Sequence, residues 1–216
     1  MKRIESPLAR LNVALDLGRE RKGNDAIFDH MERDLNCLDD MIGRLLMVAK
    51  LDSGLESISK QHINLTELIA RISDDASFQS QRRNVTIEVI AVGDVWIQGN
   101  SNLLHSALEN VIRNAICYTA PETSVRIQLQ LAPGENSDAY VTVCDEGPGV
   151  PEDDLANIFR PFFRVDSARD RDSGGTGLGL AIADRVIQLH GGTITARNRL
   201  PKGLEFKLRI PQRQFP

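Results

Sequence analysis

The stretch "RDSGGTGLGLAIADRVIQLHGG", residues 171–192, places four glycines within six residues and then runs into an amphipathic helix pattern. Glycine costs the chain conformational entropy, so a cluster of glycines at a helix start indicates close approach of the backbone to a ligand. A helix N-terminus carries unpaired N–H donors and the positive end of the helix dipole, which favours phosphate. A flexible surface turn is the alternative, because short glycine motifs are weak evidence.

Two common nucleotide-binding motifs do not match this cluster. A P-loop requires GxxxxGK[ST], but no lysine follows these glycines. A dinucleotide fingerprint requires GxGxxG after a strand, whereas Gly177-x-Gly179 continues to Ile182 and follows a charged loop. The rest of the chain therefore has to decide between a ligand site and a turn.

The composition is that of an ordinary soluble protein. The 216 residues suffice for one full domain with a sizeable core plus a smaller element. A net charge of -4 provides no broad attraction to nucleic acid or to an anionic membrane, so we expect no nucleic-acid partner. Any recognition of phosphate must then be local.

Cysteine, histidine and hydrophobic patterns point to a cytosolic piece. The three cysteines have no CxxC spacing and give no disulfide framework, which favours a reducing compartment. The four histidines are scattered without ligand spacing, so we expect no structural metal. No apolar run approaches the ~20 residues that cross a bilayer, and no signal-peptide pattern opens the chain.

Residues 1–53 predict a helical hairpin. Ser6 and Pro7 form a helix start, leucines continue at helical spacing to Arg21, and residues 22–25 break the helix. The second helix then carries an unbroken apolar seam: Phe28, Met31, Leu35, Leu38, Ile42, Leu45 and Ala49. Since a lone hairpin cannot cover this seam, pairing of two hairpins into a four-helix bundle is the economical solution. Packing of the seam on the chain's own second domain is the alternative.

Residues 54–62 predict a linker, and residues 63–213 an α+β domain. Its helices are expected at 66–82, at 102–118 and after the glycine cluster. Its strands are expected at 85–92, 95–98, 124–131 and 139–144, and in the segments "GTITARNR" and "GLEFKLRI". This mixture indicates a sandwich with one sheet and helices on one face.

A second glycine cluster, "CDEGPGV" at residues 144–150, follows a predicted strand and contains Asp145, Gly147 and Gly149. A carboxylate at a strand end can accept a hydrogen bond from an exocyclic amine, and glycines let a flat ring lie against the backbone. This combination suits adenine. A strand-end turn is the alternative, because aspartate, glycine and proline are turn residues.

Asn110 and Asn114 are four residues apart and share one face of the predicted helix. Amide oxygens can ligate Mg²⁺, and amide N–H groups can reach phosphate. A pair of solvated polar residues is the alternative.

Four motifs follow one another along the chain: "ENVIRNAICYT", "DEGPGV", "IFRPFFR" and "GGTGLGLAI". In this order they resemble the N box, first glycine box, F box and second glycine box of bacterial sensor histidine kinases. These kinases belong to a wider group that includes gyrase, Hsp90 and MutL. The hairpin looks like the family's dimerisation and phosphotransfer bundle, so the resemblance covers nearly the whole chain. Within the family, residues 159–182 look most like the envelope stress sensors.

The resemblance implies a Bergerat-type α/β sandwich with an ATP site. Asp145 would hold the adenine amine, Asn110 and Asn114 would hold Mg²⁺ and phosphate, and Arg164 would reach the terminal phosphate. Residues 165–176 would form a mobile lid. The implied ATP-binding residues are Asn110, Asn114, Tyr118, Asp145, Gly147, Gly149, Arg164, Gly175, Thr176, Gly177, Leu178 and Gly179.

Hydrolytic activity is the weaker interpretation. In the water-hydrolysing relatives a glutamate general base occupies the place of Asn110, and an amide cannot take a proton from water. Glu109 lies one position away and roughly 100° round the helix.

The family's phosphoacceptor motif, H-E-x-x-[ST]-P-L, is incomplete here. Alignment on residues 6–8 puts Lys2 where the histidine belongs and Arg3 where the glutamate belongs. A lysine ammonium is protonated near pH 7 and is a poor nucleophile, so we expect no autophosphorylation at the usual site. Two explanations stay open: a sequence that begins within the motif, with "MKRIE" as a replacement lead, and a natural loss of the histidine.

Cys117 is a second departure from the family pattern. Related N boxes commonly place arginine or lysine just before the Tyr118 position, and cysteine supplies no positive charge at neutral pH. Weaker nucleotide affinity or phosphoryl transfer would follow.

The resemblance implies the cytoplasmic catalytic part of a two-component sensor kinase, whose intact form lies in the bacterial inner membrane. It would use Mg-ATP to phosphorylate a histidine, pass the group to an aspartate of a response regulator and form a homodimer through the hairpin. The alternative is a catalytically silent nucleotide-binding dimerisation module that docks or dephosphorylates a response regulator. There Ser6, at the family's phosphatase position, would orient a water.

Overall fold

The computed structural model describes residues 11, 15, 17–19, 26–52, 61–91, 93–133, 137–165 and 176–212. The chain divides into two compact units, Met1–Ala49 and Lys50–Pro216. Within the described part of the chain, no helix has both the length and the apolar character that crossing a membrane requires.

The first unit contains the predicted helical hairpin. Residues 11, 15 and 17–19 are helical, and helix α1 spans Ala26–Asp52. Arg19 forms ion pairs with Asp29 and, at 3.0 Å, with Glu32, and these pairs join the first helix to the second. Two helical segments in contact next to the predicted break agree with a hairpin, while Ser6 and Lys2 lie outside the described residues.

Part of the predicted apolar seam of α1 is exposed to solvent in the single chain. Leu38 is 47% exposed and Ile42 is 46% exposed, and Met31 and Leu45 are also exposed. About half of the surface of each of these four side chains is therefore exposed among the described residues.

The second unit is an α/β sandwich of three helices and seven strands among the described residues. In chain order the elements are β1 (Gln61–Asn64), α2 (Leu65–Arg82), β2 (Thr86–Ala91), β3 (Trp96–Gly99), α3 (Ser101–Tyr118), β4 (Ser124–Leu131), β5 (Ala139–Cys144), α4 (Gly179–Leu189), β6 (Thr193–Asn198) and β7 (Leu204–Ile210). This architecture confirms the predicted α+β class.

The main sheet has five strands in the order β2-β4-β5-β7-β6. Strand β2 runs parallel to β4 and the other neighbours are antiparallel. Alternate residues of β5 are fully buried, as are Phe206 and Leu208 opposite them in β7. One face of the sheet therefore forms the core with the helices, whereas the other face is polar.

Two helices begin at asparagine caps. The side chain of Asn64 accepts hydrogen bonds from the backbone amides of Thr66 and Glu67, and Asn100 does the same for Asn102 and Leu103. Such caps satisfy amides that a helix start leaves without partners. Helix α4 differs, because no side-chain cap bonds its first turn.

The structure adds a second, two-stranded sheet, β1-β3, that the sequence pattern did not predict. Strand β1 begins at Gln61, inside the segment predicted as a linker, and pairs Ile63 with Ile97. Its four residues include three polar ones, so alternation gives no signal. Two short 3₁₀ turns, Glu152–Asp154 and Asn157–Phe159, were also not predicted.

Candidate nucleotide-binding site

Asp145 directly follows β5 and is buried, with 2% of its surface exposed. Its Oδ1 accepts hydrogen bonds from the amides of Gly147, at 2.8 Å, and Leu204, at 3.1 Å. Burial raises the pKa of Asp145, and the two amides and the nearby charge of Arg199 partly oppose that rise. Among the described residues nothing donates to Oδ2, so one oxygen is left for a ligand donor.

The glycines of the 144–150 loop are required by close contacts. A Cβ on Gly147 would lie 2.4 Å from the backbone oxygen of Tyr118. Gly149 has φ +77°, and a Cβ there would lie 2.6 Å from Oδ1 of Asn198. The loop thus has no room for a side chain at either position, because its backbone packs closely on the end of α3 and on the end of β6.

Sequence reasoning missed the turn between β6 and β7, which supports this loop. Arg199 donates from Nη1 to the backbone oxygen of Asp145 at 2.8 Å. A Cβ on Gly203 would lie 2.1 Å from the same oxygen, and Gly203 has φ +108°. The "PKG" turn signal was available in the sequence, but nothing there indicated that the turn packs behind Asp145.

Asn110 in α3 faces the first turn of α4. Its Nδ2 donates to the backbone oxygen of Ser106 at 2.8 Å, which fixes the amide orientation. A Cβ on Gly179 would lie 2.8 Å from Asn110 Oδ1, so the N box and the second glycine box are in contact. Asn114 is half-buried one turn further along α3.

Tyr118 and Arg164 are brought together although they are far apart in sequence. Burial raises the pKa of the Tyr118 hydroxyl, and the charge of Arg164, which hydrogen-bonds to that hydroxyl, partly opposes the rise. The arginine that follows the F box therefore lies against the end of α3.

The F box and the second glycine box meet through their backbones. The amide of Phe162 donates to the oxygen of Gly177 at 2.9 Å. Both residues have positive φ, +65° at Phe162 and +72° at Gly177. Thr176 and the fully buried Leu178 flank this contact. Gly175 and nearly all of the predicted lid lie outside the described residues.

Several predicted site residues of the described chain thus lie against one another. Gly147 packs on the backbone of Tyr118 at the end of α3, Tyr118 bonds to Arg164, and Gly179 at the start of α4 packs on Asn110. No group of three or more histidine, cysteine, aspartate or glutamate side chains in the described residues could hold a metal ion.

The domain thus combines a sheet covered on one face by helices with a buried aspartate after its middle strand and glycines at the start of a helix that faces α3. Residues 99–214 match the family model described as histidine kinase-, DNA gyrase B-, and HSP90-like ATPase, and the chain belongs to this family.

The curated relatives narrow this class. The chain is 35% identical over 209 residues to the sensor histidine kinase CpxA of Escherichia coli, covering 96% of this chain and 44% of CpxA. The prediction that the chain is the catalytic domain of a sensor histidine kinase, similar to CpxA, is thereby confirmed. The chain spans less than half the length of these relatives.

Solved structures agree on the fold. Full-length ShkA in complex with AMPPNP superposes with a TM-score of 0.78 at 22% identity, covering 98% of this chain and 44% of that one. The mycobacterial sensor histidine kinase MprB gives a TM-score of 0.60 at 29% identity, covering 72% of this chain and 99% of that one.

Proposed function

We propose that this chain binds Mg-ATP and transfers the terminal phosphoryl group to a histidine, from which it passes to an aspartate of a response regulator. The family membership already makes it the ATPase domain of a two-component sensor kinase. The observation that carries the proposal is the buried Asp145, with one carboxylate oxygen bonded and one left for a ligand.

Asp145 would recognise the base. Its Oδ2 would accept a hydrogen bond from the exocyclic amine of adenine, while the backbone at Gly147 and Gly149 would lie against the ring. The close packing of Gly147 on Tyr118 and of Gly149 on Asn198 holds this loop next to the Asp145 carboxylate, which supports the proposal.

The start of α4 and the facing side of α3 would hold the phosphates. The backbone amides at residues 175–179 would donate to phosphate oxygens, as expected for an uncapped helix start. Arg164 would reach the terminal phosphate, and Tyr118 would hold that arginine in place. ShkA, which shares the fold, was solved with the ATP analogue AMPPNP.

Amide oxygens of Asn110 and Asn114 would hold the Mg²⁺ ion together with the phosphates. The Nδ2 of Asn110 is already bonded to Ser106, so its Oδ1 is the atom directed to the start of α4. When bound, the metal would neutralise charge that develops on the phosphate oxygens.

Transfer to a side chain is favoured over hydrolysis. The only carboxylate next to Asn110 in sequence, Glu109, lies on the exposed side of α3 at 3.7 Å from Arg113 and 3.9 Å from His105. It is directed away from the side on which Asn110 meets Gly179. Activation of water by Glu109 would therefore need a different arrangement of α3.

The acceptor histidine would come from another molecule. Lys2 stands at the family's histidine position and would not act as the nucleophile, so we expect no autophosphorylation. In the cell this domain would lie on the cytoplasmic side of the inner membrane and dimerise through the hairpin.

The test is transfer in trans. Labelled ATP is mixed with the chain and a hairpin bundle that carries the acceptor histidine. We expect label on the bundle with the parent chain and none with Asp145→Asn, while the chain alone stays unlabelled. ATP binding without transfer would overturn the kinase proposal in favour of a silent module that docks a response regulator.

A further inference from the structure

The turn between β6 and β7, with the strand residues Asn198 and Leu204 on either side of it, makes hydrogen bonds to both the backbone amide and the backbone oxygen of Asp145. The amide of Asp145 donates to the oxygen of Leu204 at 3.0 Å, and the amide of Leu204 donates back to Oδ1 at 3.1 Å. Arg199 Nη1 bonds the Asp145 backbone oxygen at 2.8 Å, and Gly203 packs on that oxygen. The turn therefore holds the backbone of Asp145 and, together with the Gly147 amide, sets the direction of its carboxylate.

Asn198 fixes the other end of the same loop. Its Oδ1 accepts from the amide of Val150 at 2.9 Å, and its Nδ2 donates to the oxygen of Val150 at 2.7 Å and to Glu152 at 2.9 Å. Gly149 lies directly against its Oδ1. Asn198, at the end of β6, is thus joined to the last residue of the glycine loop by two hydrogen bonds and to Glu152 just beyond it by a third.

We propose that Asn198 and Arg199 are positioning residues that set the base selectivity of the site, so that it accepts adenine and rejects a 6-oxopurine. This inference rests on the proposed function. A 6-oxopurine presents an acceptor where adenine presents a donor, and an acceptor facing a carboxylate is repelled. Discrimination between adenine and a 6-oxopurine therefore requires that Asp145 Oδ2 keeps one direction. Because Asn198 and Arg199 hold the loop in place before the ligand arrives, no free energy is spent on ordering the loop when the base binds.

The experiment compares two ligands on the full chain. Mg-ADP and Mg-IDP, which differ at the 6-position of the base, are titrated calorimetrically into the parent chain, Asn198→Ala and Arg199→Met. We expect the ADP-over-IDP affinity ratio to fall by about tenfold in each variant, mainly through weaker ADP binding. Arg199→Lys, which keeps a donor and the charge, should retain most of the ratio.

Lys202→Ala, an exposed position on the same turn, is the matched control and should keep the parent ratio. Thermal melts show whether each variant is folded. If Asn198→Ala does not fold, the comparison of Arg199→Met with Arg199→Lys tests the inference alone. Equal weakening of ADP and IDP would mean a merely structural role and would overturn the inference. A parent chain that binds neither ligand would instead overturn the proposed function, and the inference with it.

Discussion

Asp145 is a charged side chain placed where charge is unfavourable. Only 2% of its surface is exposed, and burial is the largest cause of its raised pKa. A carboxylate whose folded pKa is raised contributes most stability below its unfolded pKa and loses that contribution as the pH rises through the folded pKa. Above the folded pKa the ionised form of Asp145 therefore lowers the stability of the fold, as expected for a group that serves a ligand.

Asp145→Asn should remove the loss of stability that comes from burying the negative charge of Asp145. The amide oxygen of asparagine can still accept the bonds from Gly147 and Leu204, whereas no charge is buried. The stability of the variant relative to the parent should therefore rise as the pH increases from the ordinary aspartate pKa through the raised pKa of Asp145. Urea unfolding at several pH values measures this, and a difference that does not change with pH would contradict the raised pKa.

The residues proposed to touch the nucleotide could be predicted from the sequence. The residues that hold them in position could not. Asp145, Asn110 and the glycines belong to local motifs with fixed spacing. Asn198 and Arg199 act on a loop about fifty residues earlier in the chain, and no local pattern encodes that contact. The roles given to Lys2, at the phosphoacceptor position, and to Ser6, at the phosphatase position, remain predictions, because both residues lie outside the described part of the chain.

At the level of elements, His190 joins the end of α4 to the start of α3. It is 4% exposed, its Nδ1 lies 2.7 Å from the oxygen of Val186, and its Nε2 accepts from the amide of Asn100 at 3.1 Å. A Cβ on Gly99 would lie 2.6 Å from its ring. The imidazole thus adds a polar link to the apolar packing between the two helices that carry the proposed phosphate site.

His190→Ala should lower the free energy of unfolding by roughly 2–4 kcal/mol, because it leaves a cavity and an unpaired Asn100 amide. His62→Ala, at an exposed position in β1, is the control and should change it by less than about 0.5 kcal/mol. Chemical denaturation measures both. Equal effects would show that the imidazole does not join the helices.

Elements with regular patterns were predicted closely. The bounds of β4 and β5 agree with the prediction because apolar and polar residues alternate through both strands. Strand β1 was missed because pairing with β3, not its own sequence, makes it a strand. Tertiary contacts decide such short elements.

On the scale of the whole molecule, the exposed seam of α1 indicates a partner helix. Ile42→Glu should convert a dimer into a monomer, since it places a charge in an apolar interface. Asn36→Glu, exposed and off the seam of the same helix, should leave the dimer intact. Analytical ultracentrifugation measures the change, and a dimer that survives Ile42→Glu would place its interface elsewhere.

The proposed kinase activity depends on binding of a nucleotide through Asp145. The most direct measurement is a calorimetric titration with ATP, with and without Mg²⁺, on the parent chain and on Asp145→Asn. We predict saturable one-site binding that Mg²⁺ strengthens and that Asp145→Asn weakens by about ten- to a hundredfold, as expected for one hydrogen bond to a charged group. No binding at millimolar ATP, or equal binding by the variant, would contradict it.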